Sequence, residues 1–73
     1  MSRIWRLRPG VLNTAMRISG IHSDRELADL LGVSTTTIGR LRRESTSPSV
    51  AVLMRLRETT GMTPDELLVE TAA

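Results

Sequence analysis

The chain has 73 residues, 40% hydrophobic and 25% charged, enough for one small core and too few for a second. With no cysteine it can form neither a disulfide, a thiolate zinc site nor a cysteine nucleophile, which suits a reducing compartment. Net charge is only +2, yet residues 1–43 hold eight Arg against Asp24, Glu26 and Asp29, and residues 44–73 hold Arg55 and Arg57 against five carboxylates, a pattern that suits one face turned to a polyanion.

Residues 1–8 read as an amino-terminal arm, with no apolar stretch of the kind a secretory signal needs. Pro9-Gly10 separates it from a helical stretch, Val11 to Ser19, in which Val11, Ala15 and Ile18 form an apolar stripe with Leu12 and Met16 beside them. Gly20 ends that helix. Ser23 and Glu26 predict a capping box opening a second helix, whose buried side is Leu27, Ala28, Leu30 and Leu31 and whose stop is Gly32. Ser34 caps a third helix, Thr35 to about Arg43, with Ile38 and Leu41 inward and Val33 filling the corner between helices two and three. Glu44 to Ser47 is polar and loop-like. Ser47-Pro48 then predicts the N-cap and first residue of a fourth helix, with Val50, Leu53 and Leu56 inward and Gly61 as its stop. The apolar run Val50 to Met54 is the longest in the chain and far short of a membrane span, so a cytosolic protein is expected. Thr63-Pro-Asp-Glu66 is a second capping box and opens a short last helix containing Leu67 and Leu68.

The third helix carries the most information. Its outer side, Thr35, Thr36, Gly39, Arg40 and Arg43, holds hydroxyls and guanidinium groups and no carboxylate. Three successive Thr each cost up to roughly 0.7 kcal/mol in helix propensity against Ala, and a mid-helix Gly costs about 1 kcal/mol. Short side chains at that cost suit close approach to another surface. A DNA major groove fits, because it admits an α-helix whose first residues reach base edges while Arg bonds guanine O6 and N7 together.

The run Ser23-Asp-Arg-Glu-Leu-Ala-Asp-Leu-Leu-Gly-Val-Ser-Thr-Thr-Thr-Ile-Gly-Arg-Leu resembles the helix-turn-helix of the phage repressor/Cro-type (Xre-like) family. Pro48-Ser-Val-Ala-Val-Leu and Gly61-Met-Thr-Pro-Asp-Glu-Leu-Leu resemble its fourth and fifth helices, so the likeness covers about residues 10–70. It implies an all-α fold of five short helices, a lambda-repressor-like domain over residues 9–70, with the arm before it and a tail at 71–73. By position, the resemblance implies base contacts from Thr35, Thr36 and Arg40, and phosphate contacts from Ser23, Arg42, Arg43, Ser45, Thr46 and Ser47. Three residues depart from the family's pattern. Asp24 stands where a phosphate-touching Gln is common, and its carboxylate suits the helix dipole instead. Arg42 stands where a Glu often pairs with an Arg of helix one, which removes that ion pair and frees Arg42 for phosphate. Glu44 replaces the Gly that usually closes helix three.

Arg3, Ile4, Trp5 and Arg6 leave the arm's role open between a flexible minor-groove arm and a strand or apolar hook in a dimer contact. For Trp5 we favour packing over apolar residues of the first and last helices. His22 reads as a turn residue, the Met as core filler, and Arg17 and Arg25 as surface residues or partners for nearby carboxylates. One His, no Cys and no phosphate-cradling Gly loop argue against an enzyme, a metal or a cofactor. We expect a small stand-alone Cro-like regulator on double-stranded DNA, a homodimer in solution or only on DNA, with no membrane or small-molecule partner. The alternative is a helix-turn-helix scaffold used as a protein-interaction module.

Overall fold

The computed structural model describes residues 3–43 and 46–72. Five helices follow the order expected: α1 (Val11–Ser19), α2 (Asp24–Leu31), α3 (Thr35–Arg42), α4 (Val50–Thr60) and α5 (Pro64–Leu67). Two strands, β1 (Arg3–Leu7) and β2 (Leu68–Ala72), join the chain's ends as an antiparallel pair, with Arg3 opposite Ala72 and Leu7 opposite Leu68.

The caps account for most boundaries. Ser34 Oγ accepts from Thr37 N at 3.2 Å and fixes the start of α3. At the end of α2, Val33 N donates to Ala28 O and Gly32 N to Asp29 O, a Schellman pair that needs Gly32 at φ 70°. That stop brings the chain into the Ser34 cap within two residues. At α5 the capping box is complete: Thr63 Oγ1 accepts from Glu66 N, and Thr63 N donates to Glu66 Oε1 at 3.1 Å. The Thr63 backbone N–H, then its hydroxyl, hold the Glu66 carboxyl below its ordinary pKa. At α2 the box is only half made. Ser23 Oγ accepts from Glu26 N, but the Glu26 carboxylate takes the Ser23 hydroxyl at 3.4 Å, so the expected return to the backbone is absent there.

The core draws Val11, Leu12 and Ala15 from α1, Leu27, Ala28 and Leu31 from α2, Ile38 and Leu41 from α3, Val52 and Leu56 from α4, and Leu7 and Leu67 from the closing elements. The structure corrects several expectations. Ile18 is 56% exposed, because the stripe on α1 centres between Leu12 and Ala15 and leaves Ile18 at its margin in the last turn. The N-cap of α4 is Ser49, whose Oγ accepts from Val52 N, rather than Ser47. Val52 and Leu56 therefore form the inner row, Leu53 is half-buried, and Val50 lies outside. Leu68 lies at φ −113°, ψ 151°, so it opens β2 instead of continuing the last helix.

The terminal pair draws on residues read as the arm and on the end of the chain. Leu7 is buried, and Arg8 N extends the ladder to Leu67 O at 2.8 Å. The Arg8 guanidinium clasps Asp65 O through Nε and Nη2 at 3.2 and 3.1 Å. Trp5, expected to pack over the first and last helices, is held on β1 instead of on a free arm. It shares a sheet face with Leu7 but stands two residues, roughly 7 Å, further along the strand, and is 44% exposed opposite Glu70.

Candidate nucleic-acid interface

The Ser34 cap sets the rotation of α3. With Ile38 and Leu41 buried, Thr35, Thr36, Arg40 and Arg43 are exposed. The three threonines are not equivalent. Thr37 is half-buried and its hydroxyl meets Ser34 Oγ at 3.1 Å within the cap, so Thr35 and Thr36 are the pair presented outward.

Gly39 lies on this face without a positive φ. A Cβ built there would meet the Arg43 guanidinium at 3.5 Å, an ordinary contact with the far end of a flexible side chain. Packing therefore has room for Ala at position 39. Arg43, the C-cap residue of α3, lies back over that gap.

Arg42 follows a different course. Its Nε and Nη2 reach Asp24 Oδ2 and Oδ1 at 3.3 and 2.6 Å, a two-pronged ion pair with the first residue of α2. Nη1 donates to Asn13 Oδ1 at 2.8 Å and Nη2 to Met16 Sδ at 3.1 Å, both on α1. Four of the five guanidinium N–H groups are thus engaged, which leaves one to offer outward. The two departures from the family's pattern, Asp24 and Arg42, compensate each other: in place of an ion pair between the third and first helices, the cation stands on α3 and the carboxylate on α2. Opposite charges at two positions that depart from the family's pattern are the sequence signal for it.

Of the remaining predicted residues, Ser23 precedes α2, and Thr46 and Ser47 follow α3. Ser23 is exposed, with its hydroxyl engaged by Glu26. In the α3–α4 loop, Ser47 Oγ accepts from Arg6 Nη1 at 2.6 Å, and Thr46 Oγ1 donates to Ser47 O at 3.5 Å. Arg6 therefore stands beside the loop on a paired strand. Ser45, Glu44 and the side chain of Arg3 lie outside the described residues; Ile4 is half-buried. Arg55, which carried no sequence signal, ties α4 to α2 through Leu30 O at 3.3 Å.

Sequence reading also missed an apolar pair on α4. Val50 and Met54, one turn apart, are 72% and 59% exposed beside the half-buried Leu53. By contrast Leu67, at the end of α5, is buried, and Leu68 and Val69 of β2 are half-buried. Among the described residues no cluster of three His, Asp or Glu side chains is placed to hold a metal ion, and no helix is long and apolar enough to cross a membrane.

A family model described as helix-turn-helix matches residues 15–67, which spans α2, the tight turn and α3 together with α4 and α5. No curated protein and no solved structure matches the chain. Ser34-capped α3, set three residues after α2 with its polar side outward, is the arrangement that family uses for DNA-binding transcription regulation. The chain belongs to the Xre/lambda repressor-like helix-turn-helix family.

Proposed function

We propose that this protein is a sequence-specific reader of double-stranded DNA that represses transcription from a two-fold symmetric operator, with α3 in the major groove. In this reading Thr35, Thr36 and Arg40 touch base edges, and Ser23, Arg43 and the Ser45–Ser47 loop touch phosphates. Arg42 holds α1, α2 and α3 together and adds no phosphate contact of its own. Its all-Arg basic composition suits a GC-rich bacterial or phage source, and the regulator acts in the bacterial cytoplasm.

The observation that carries the reading is the outer face of α3, where exposed hydroxyls and guanidinium groups surround a glycine that packing does not require. Gly39→Ala should raise thermal stability by up to roughly 1 kcal/mol while weakening operator binding. A variant that is less stable than the parent would show that the glycine serves the fold instead. The reading as a whole is tested by selecting random duplexes with the purified protein at physiological salt. We expect an enriched palindrome with half-sites about 34 Å apart. Weak, salt-sensitive binding with no motif would overturn it and favour the protein-interaction module.

The exposed Val50 and Met54 support a second copy as the partner across the two-fold axis, because one apolar pair per copy is self-complementary under that symmetry. Met54→Glu should preserve the fold and single half-site binding, and should lower affinity for the full palindrome by roughly 5- to 150-fold, the usual range of coupling between sites. Unchanged affinity for the palindrome in a gel-shift titration would move the dimer contact elsewhere.

A further inference from the structure

We infer that Arg6, on β1, contacts the DNA backbone and forms a second edge of the interface beside the α3–α4 loop. The inference rests on the DNA-reading function proposed above, but on a part of the chain that the family match at 15–67 does not include.

Three observations support it. First, Arg6 is placed by a fixed element. β1 is paired along its whole length with β2, its end is buried at Leu7, and Arg8 ties it to Leu67 and Asp65. A guanidinium on such a strand needs less ordering on binding than one on a free arm, so more of its contact energy remains as affinity.

Second, Arg6 is placed at the loop that leaves the recognition helix. Its Nη1 donates to Ser47 Oγ at 2.6 Å across 41 residues of sequence, and also lies 3.4 Å from Trp5 O. β1 packs beside α3, and Arg43 at the α3 C-cap begins the same loop. The guanidinium charge therefore sits one hydrogen bond from the loop hydroxyl.

Third, the bond has a direction. Ser47 Oγ accepts from the cation, and among the described residues its own O–H has no acceptor. A hydroxyl that accepts from a guanidinium is polarised and becomes a stronger donor. Arg6 and Ser47 thus present a charge and an oriented O–H together, the pair of groups a phosphodiester oxygen accepts from. The ligand is the sugar–phosphate backbone and carries no sequence information.

The test uses the full chain and the duplex it selects, with affinity measured against salt concentration. Arg6→Gln keeps an N–H for Ser47 and removes the charge. It should lower the log–log salt slope by about 0.9, the value of one phosphate contact, and weaken all duplexes alike without changing the selected motif. Arg6→Lys restores the charge and should restore the slope. Ser47→Ala, which removes no charge, should weaken binding at an unchanged slope. A merely structural Arg6 would lower the thermal midpoint of Arg6→Gln and leave the slope at the parent value, and that result overturns the inference. If the parent selects no motif, the functional reading fails and the inference with it. If the parent selects a motif and Arg6→Gln keeps the parent slope, the inference fails alone.

Discussion

Truncating Ile38 to alanine should leave a large share of the protein unfolded at 25 °C. Ile38 is fully buried on the inner face of α3, where it locks that helix to the core. Removing a buried Ile side chain costs about 2–5 kcal/mol. A core of this size supplies only roughly 3–5 kcal/mol of net stability, so the loss is comparable to the whole. Urea denaturation followed by far-UV circular dichroism reads the outcome. Ile38→Val, which removes one methyl group, should cost about 0.5–1.5 kcal/mol and remain folded. Ile18→Ala is the matched surface control: with Ile18 56% exposed at the end of α1, the change should fall within about 0.5 kcal/mol of the parent. An Ile18 variant as damaged as the Ile38 variant would mean that the apolar stripe of α1 runs inward along its full length.

That pair of isoleucines also marks how far local pattern carries. Ile38 was legible because Ser34, a cap with a single consistent start, fixes the rotation of α3 within one turn. Ile18 was not, because a nine-residue helix with five apolar residues allows two neighbouring stripe directions, and only packing against α4 selects one. The start of α4 failed for a related reason. Ser47 and Ser49 are both N-cap residue types standing just before the apolar run, Pro48 favours the cap at Ser47, and the inward placement of Val52 and Leu56 decides for Ser49. The strands were illegible for a different cause. Each is five residues long, and β1 gains its partner only when the chain returns 61 residues later. Nothing within either segment states that pairing. The candidate site divides in the same way: the exposed face of α3 follows from its cap and its two buried residues, whereas the ties of Arg42 to Asp24 and of Arg6 to Ser47 cross between elements.

Arg40 and Arg43 should respond differently to the same truncation, although both are exposed and three residues apart. Arg40 lies one turn after Thr36 and shares its face, so the base-reading assignment gives it a guanine edge. Losing a bidentate pair costs about 1–3 kcal/mol of discrimination, or roughly 5- to 150-fold. Random-duplex selection with Arg40→Ala should therefore return the parent motif with one position in each half-site relaxed. Arg43 lies at the C-cap, where the helix turns away and its guanidinium rests over Gly39. Arg43→Ala should weaken every duplex by a similar factor, keep the motif, and lower the salt slope by about 0.9. Arg42→Met separates charge on the helix from charge on the DNA. With four donors held by Asp24, Asn13 and Met16, its loss should lower the thermal midpoint and leave the salt slope unchanged. If Arg40→Ala and Arg43→Ala reduce binding to all sequences equally, α3 meets the backbone only, and the bases must be read by another element. If Arg42→Met lowers the slope as Arg43→Ala does, the Asp24 pair opens on DNA and Arg42 turns outward to a phosphate.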